Sequence, residues 1–330
     1  MDKANKTALV TGSNSGIGFE AAALLAEDGW GNVILACRSL EKAEGARARL
    51  IERVGKDVFG LLAIDTSEVA SAHEAADVLL ERGEKLDFLL LNAGATKRYK
   101  VLNSGGVELS YASVLIGHHV LALRAIADGV LNPTARIVIS STEAIRGNIP
   151  GMSMHDVSET AQSYYNGDWA AAIEGLMRLH TPLQQTYSST VETGTSKLLA
   201  AWWAGGLAQR LPKGMVVTAV SPGNVPATNI TRDANLITRM MSATMRTIGI
   251  PLGIASSVED GARRYLDGAE FESQASGMFY ATADTKKLVG PADFQHWPEK
   301  LLDSHGHRAT YDALVRLTGV GLREEAGLAG

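Results

Sequence analysis

The run Thr11-Gly12-Ser13-Asn14-Ser15-Gly16-Ile17-Gly18 decides the fold. It follows a short apolar segment, Thr7–Val10, and opens Gly18–Asp28, where Ala and Leu recur with helical spacing. Glycines at 12, 16 and 18 let the backbone turn tightly and keep Cβ atoms out of the path of an approaching anion. The helix that follows aims its first amides, and the positive end of its dipole, at the same point. Strand, glycine-rich turn and helix N-terminus together make the phosphate-holding corner of a dinucleotide fold.

The alternation continues outward from that corner. Strand-like apolar runs occur at Asn32–Ala36, Phe59–Ile64, Leu86–Leu91, Ala135–Ile139, Met215–Val220 and Met278–Ala281. Helical patterns occupy Leu40–Val54, Ser67–Arg82, Val107–Gly129, Glu192–Arg210 and Val258–Asp267, with a tail helix near Ala309–Leu317. Short strands alternating with amphipathic helices form βαβ units, which predicts an α/β fold: a Rossmann-like doubly wound parallel sheet with helices on both faces. A chain of 330 residues fits one dinucleotide-binding domain over residues 1–330. The rhythm breaks in residues 144–191, where Gly, Ser, Pro and aromatics scatter. That segment is read as a substrate-side insertion of short helices, and 282–330 as a C-terminal extension. Met152, Met154, Tyr164, Tyr165, Trp169, Leu176, Met177 and Leu179 are the residues it offers to line a cavity.

Composition narrows the class. Net charge is −5 and no basic run stands out, which argues against a nucleic-acid partner. Cys37 is the sole cysteine, so no intrachain disulfide forms and no Cys-based metal site is expected. No His/Cys/Asp/Glu cluster shows metal-ligand spacing. The N-terminus has no apolar stretch before a small-residue cleavage site, and no uncharged run reaches the about 18 apolar residues of a transmembrane segment. The expectation is a soluble, cytoplasmic protein that acts on a small-molecule substrate.

Further signals sit at the ends of successive strands. They are Cys37-Arg38 with Lys42 a helical turn on, Asp65 after Ile64, and Asn92-Ala93-Gly94. After these come Ser140-Ser141, the run Thr193-Gly194-Thr195-Ser196-Lys197, and Ser221-Pro222-Gly223-Asn224-Val225 with Thr228 beyond. With the TG…GIG turn, this series resembles the short-chain dehydrogenase/reductase family. The segment around Cys37-Arg38-Ser39, the Gly117-His118-His119 run and the long stretch before Lys197 look like one branch of it. That branch holds protochlorophyllide reductase, retinol dehydrogenases and WW-domain oxidoreductase.

The resemblance implies a nicotinamide cofactor held by Gly12, Ser13, Asn14, Ser15, Gly16, Ile17 and Gly18. Asp65 would meet the adenine, and in the Asn92-Ala93-Gly94 run Asn92 would steady the sheet while Gly94 leaves room for the cofactor. Pro222, Gly223, Val225 and Thr228 would grip the nicotinamide, and Lys197 its ribose. NAD-preferring relatives carry an acidic residue where this chain has Cys37; Arg38 and Lys42 suit a 2′-phosphate, so NADP is expected. The helix around Trp202-Trp203 often builds a dimer interface in this family, so these rings are read as core or homo-oligomer contacts.

The catalytic set is incomplete. The family uses Asn, Ser, Tyr and Lys; this chain offers Val114, Ser141, Thr193 and Lys197 at those positions. Valine has no polar group, and a threonine hydroxyl is shorter and far less acidic than a phenol. A general acid is typically worth about 10²–10⁴ in rate. Tyr187, Tyr164, Tyr165 and Glu143 are candidate replacements, set against packing for the tyrosines and solvent exposure for Glu143. His118 and His119 are read as packing residues. Three functions stay open. One is an NADPH-dependent reductase acting on an activated C=C, C=N or C=O bond of a largely apolar molecule. The others are a non-redox lyase, isomerase or cyclase that keeps NADP as a structural element, and a non-catalytic NADP-binding protein.

Overall fold

Strand β1 (Thr7–Thr11) is buried at every position after Thr7, because it runs through the interior of an eight-stranded sheet. The computed structural model describes residues 3–148, 153–184, 186–226, 247, 249–252, 254–296 and 298–322. Helix α1 (Gly16–Glu27) returns the chain to β2 (Asn32–Cys37), and α2 (Leu40–Val54) to β3 (Phe59–Ala63). Then come α3 (Val69–Glu81), β4 (Leu86–Leu91), the helical run α4 (Leu109–Ala127) and β5 (Leu131–Ser140). The inserted segment forms α5 (Val157–Tyr164) and α6 (Trp169–Met177), before α7 (Ser189–Ala208) and β6 (Val216–Val220). Helix α8 (Val258–Asp267), β7 (Phe279–Thr282), β8 (Ala292–Phe294) and α9 (Ser304–Thr318) complete the described order.

Strand order is β3-β2-β1-β4-β5-β6-β7-β8, parallel throughout except for β8, which runs antiparallel to β7. The reversal on either side of β1 is the doubly wound pattern, and it opens a crevice at the carboxyl ends of β1 and β4. Side chains alternate across the sheet. Ala8 and Val10 join one core with α1, α2 and α8, while Leu9 joins the other with α3, α4, α6, α7 and α9.

Local chemistry accounts for the helix boundaries. Ser39 caps α2 by accepting from the Lys42 amide at 3.4 Å, and Gly55 ends it with φ 77°. Ser257 and Asp260 form a reciprocal capping box on α8. Helix α4 contains a π-helical turn, Ala112–Ile116. By length and composition it is able to cross a membrane, yet 89% of its apolar window is buried here as a core helix.

Helices α5 and α6 have no separate ranges in the sequence reading, and β8, three residues long, is absent from it. The insertion departs from the expected cavity wall in part. Leu176 and Met177 are fully buried in the main core, Tyr164 points outward, and Trp169 packs against Trp202 and His305. Met152 lies outside the described residues. Trp202 and Trp203 are core residues covered by the chain's own α9, and Trp202 Nε1 donates to the Lys300 carbonyl at 2.7 Å.

Gly117 fixes how deeply α4 sits. Its amide donates to the Thr66 carbonyl at 2.8 Å, and a Cβ built on it would meet Thr66 O at 2.5 Å and Cα at 2.6 Å. Both obstacles are backbone, so neither can rotate away. Gly117→Ala is expected to destabilise by about 1–3 kcal/mol in urea unfolding, an overpacking cost. Gly45→Ala, exposed on α2 with nothing within 4 Å of its Cβ, is expected to stabilise by about 0.5–1 kcal/mol. Equal unfolding midpoints for the two variants would contradict this account of α4.

Candidate active site

The glycine-rich corner has the geometry its sequence implies. Gly12 and Gly16 have φ of 69° and 58°, the left-handed region that favours glycine. A Cβ on Gly18 would strike Gly12 O at 2.5 Å and Asn92 Nδ2 at 2.6 Å, so only glycine lets α1 start this close to β4. Ser15 stands at the N-cap of α1 but its side chain makes no capping hydrogen bond, and the first turn holds no acidic residue. Its orphan amides and dipole are therefore left for an anion. Nothing lies within 4 Å of the Cβ position on Gly16, so the face above the turn is open. A pyrophosphate fits this cradle.

Asn92 ties the corner together. Its Nδ2 donates to Thr11 O at 3.0 Å, and the Asn92 and Ala93 amides donate to Thr11 Oγ1 at 2.9 and 3.0 Å. His118 Nε2 lies 2.9 Å from the same oxygen and Nδ1 2.9 Å from Val114 O. Burial pushes His118 down to about 3 and His119 to about 4, so both are neutral packing residues, as expected. Gly94 faces Val114, whose Cγ2 would lie 3.2 Å from an added Cβ.

At the adenosine end, Arg38 Nε lies 3.3 Å from Asp65 Oδ2, with the arginine side chain 57% exposed. The Asp65 Oδ1 accepts from the amide and hydroxyl of Ser67. Ser13 Oγ and Cys37 Sγ are 3.4 Å apart, and burial pushes the thiol up. Asn14 O accepts from Arg49 at 2.7 Å. Ser13, Asn14, Arg38 and Asp65 thus converge on the ends of β1, β2 and β3, with Lys42 opening α2 beside them.

The loop after β6 closes the other end. Gly223 has φ 83°, and its amide donates to Ser221 Oγ at 3.3 Å. Val225 and Pro222 pack directly on Gly261, where a Cβ would meet them at 2.8 and 3.2 Å. Thr228 lies outside the described residues. Beneath this loop Glu143 is buried; it is neither the exposed residue nor the candidate acid of the sequence reading. Its carboxylate accepts from Arg264 at 2.9 Å, from Thr282 Oγ1 at 3.0 Å and from the Ser221 hydroxyl. That bonding makes Glu143 a structural counter-ion for Arg264.

Lys197 and Thr193 lie one turn apart on α7. Lys197 Nζ donates to Ser140 O at 2.9 Å and Ser140 Oγ at 3.2 Å, and burial pushes it down to about 8. Ser141 Oγ donates to Lys197 O at 2.9 Å, so the hydroxyl expected to face substrate is turned onto α7. Of the Ser140-Ser141 pair the sequence reading chose Ser141, and Tyr265, 2.7 Å from Ser140 Oγ, was not marked by any sequence pattern. Thr193 Oγ1 donates to Thr96 Oγ1 at 3.1 Å. The candidate replacements for the lost phenol fare poorly. Tyr187 donates to Glu108 Oε1 at 2.9 Å and Lys97 O at 3.1 Å, and burial beside that carboxyl pushes it well up. Tyr165 packs against Gly175 within the insertion, and burial pushes it up too.

Removing one partner of the Glu143–Arg264 pair leaves a buried charge alone. Glu143→Ala is expected to cost about 3–5 kcal/mol in chemical denaturation. A loss below about 1 kcal/mol would mean that the arginine is stabilised by something else.

The short chain dehydrogenase family matches residues 6–153. A WW domain-containing oxidoreductase of Danio rerio is 28% identical over 271 residues, which is 81% of this chain. The chain spans only 61% of the length of that relative. Short-chain dehydrogenase/reductase phmF of Phaeosphaeria nodorum is 25% identical, over 94% of this chain and 90% of its own. Among solved structures, L-sorbose reductase from Gluconobacter frateurii, complexed with NADPH and L-sorbose, superposes with a TM-score of 0.57. It is 16% identical, over 84% of this chain and 96% of its own, a likeness of fold. The family match over residues 6–153 and these relatives together support membership of the short-chain dehydrogenase/reductase family, in the branch of WW domain-containing oxidoreductase and phmF.

Proposed function

We propose that this protein is an NADP(H)-dependent reductase acting on an activated C=C, C=N or C=O bond of a largely apolar small molecule. One observation carries the reading: a complete dinucleotide corner stands beside Arg38 and Lys42, while Lys197 lies half-buried against the end of β5. The NADPH in the L-sorbose reductase structure is consistent with it. Gly12 to Gly18 would hold the pyrophosphate, Arg38 and Lys42 the 2′-phosphate, Asp65 the adenine and Lys197 the nicotinamide ribose. Pro222, Gly223 and Val225 would border the nicotinamide. When bound, the dihydronicotinamide supplies a hydride. The chain's own part is to orient the acceptor carbon, exclude water and supply a proton. Thr193 has no phenol to give, which favours an acceptor already polarised or positively charged. The same replacements, Thr193 and Val114, favour the second reading, a non-redox lyase, isomerase or cyclase that binds NADP structurally. Decay of nicotinamide absorbance on adding an iminium, enone or activated ketone supports the reductase. Turnover of such compounds without that decay supports the second reading.

Two outcomes follow. NADPH is expected to bind at least tenfold more tightly than NADH, and Arg38→Ala to remove most of that preference, since a hydrogen bond to a charged group is worth about 1.5–3 kcal/mol. Equal affinities in the unmodified protein would refute the preference. Lys197 is charged below about pH 8 and neutral above it. Nucleotide affinity is therefore expected to fall as pH rises through 8, and Lys197→Met to flatten that profile. Folding responds with the opposite sign. Between about pH 8 and 10.5 the unfolded lysine keeps a proton the folded one has lost, so stability rises across that window. Titration calorimetry and urea unfolding across pH 7–10 check the two signs separately.

A further inference from the structure

Glu108 is fully buried at the start of α4, with no place in the nucleotide site. Its Oε2 accepts from the Ser110 amide at 2.8 Å. Its Oε1 accepts from Tyr187 OH at 2.9 Å and lies 3.3 Å from Ser110 Oγ. The titratable groups around it are Tyr187 from the segment before α7, Tyr111 on α4 and Glu192 on α7. Glu192 is itself held by Tyr111 at 2.6 Å, Gln184 at 2.9 Å and His155 at 3.1 Å. Among the described residues no ion pair reaches Glu108. Burial pushes its carboxyl up; Tyr187 and Ser110 oppose this, and the like charge of Glu192 adds to it.

A continuous line of hydroxyls leaves this carboxyl. Ser110 Oγ lies 3.2 Å from Thr96 Oγ1, and Thr96 Oγ1 lies 3.1 Å from Thr193 Oγ1. Thr193 is the residue standing where the family carries its proton-donating phenol. Hydroxyl hydrogens rotate, and each oxygen both donates and accepts, so the line can be polarised in either direction.

Resting on the reductase reading above, we infer that Glu108 is the proton reservoir of this site, connected to the reacting atoms through Ser110, Thr96 and Thr193. As the acceptor carbon gains hydride and its partner atom gains negative charge, Thr193 gives that atom its hydroxyl proton. Thr193 is refilled by Thr96, Thr96 by Ser110, and Ser110 by the Glu108 carboxylic acid, which becomes carboxylate. Each hydroxyl loses one proton and gains one. The net change is one hydride and one proton added to substrate, one oxidised nicotinamide and one carboxylate. Water reaching Thr193 after product leaves returns the proton along the same line. Glu108 acts at a distance, as a positioning and storage group, and Thr193 is the member that touches substrate.

The test has two arms. In the nucleotide-free protein, infrared spectra over pH 5–9 are expected to show a carboxylic-acid carbonyl stretch that persists above the usual glutamate range and is missing from Glu108→Gln. Ser110→Ala and Thr193→Val, which keep the carboxyl, should shift that stretch or its titration. In the kinetic arm Glu108→Gln is expected to lower kcat about a hundredfold, within the range of lost acid catalysis, with nucleotide Kd unchanged. Thr96→Val should do the same, while Thr96→Ser, which restores the hydroxyl, should recover most of the rate. A Glu108 that is already carboxylate at pH 5, or full turnover in Glu108→Gln, overturns the relay. If no substrate is reduced at all, the reductase reading fails and the infrared arm alone decides whether the carboxyl stores a proton coupled to Thr193.

Discussion

The site depends on a reciprocal clamp between the end of β5 and the middle of α7. Lys197 sends its ammonium to the Ser140 carbonyl, and Ser141 sends its hydroxyl back to the Lys197 carbonyl. A helix carbonyl engaged by a side chain and a lysine engaged by a strand carbonyl fix both the depth and the rotation of α7 against the sheet. That rotation decides what Thr193, one turn earlier, can face. Partial burial of this charged group is tolerated because Ser140 accepts two of its hydrogen bonds, and the cost appears as a lowered affinity for its proton.

Around this clamp Thr193 belongs to a wider polar network. A tyrosine beside a lysine forms a short acid–base couple reaching directly to substrate. Here the hydroxyl at 193 is turned to Thr96, and the other polar groups nearby are organised around two buried carboxyls, Glu108 and Glu192. Such networks are stabilising only when every member is satisfied. Tyr111, Gln184 and His155 satisfy Glu192; Tyr187 and Ser110 satisfy Glu108. Tyr187, which sequence position made a candidate acid, is spent on that task, and burial, with the carboxyl beside it, makes it a weaker acid than free tyrosine.

What was legible in the sequence was whatever has a period or a fixed local spacing. The strands and helices flanking β1 fall within one or two residues of their expected bounds, since alternating burial and helical stripes repeat along the chain. The glycine corner was legible because backbone geometry demands glycine there, and Lys197 because its place in the run Thr193–Lys197 matches the family pattern. The relay was not. Thr96, Ser110 and Thr193 are common hydroxyl residues that meet only because the loop after β4, the start of α4 and the start of α7 converge. Glu108 had no signal beyond lying at a helix start. Glu143 was misread because Arg264, its counter-ion, is 121 positions away and joins it only through the sheet. The two serines ending β5 alternate sides, and which of them meets the lysine side chain depends on the seating of α7.

The insertion and the C-terminal helix complete that seating from outside. A Cβ on Gly194 would meet Ser153 O at 2.9 Å and Met154 Cγ at 3.0 Å, so the inserted segment lies directly on the backbone next to Thr193. The His155 amide donates to Thr195 Oγ1 at 3.0 Å on the same turn. On the opposite side α9 covers Trp202 and Trp203, and Gly306 lets the Trp202 ring lie where a Cβ would be 2.7 Å from it. Helix α7 is thus gripped by β5, by the insertion and by α9, with its small residues placed where neighbours come closest. A hydroxyl as short as that of Thr193 keeps its bond to Thr96 only if α7 stays in register with the loop after β4. The three-sided grip supplies that register, and it joins the peripheral segments to the chemistry through α7 itself.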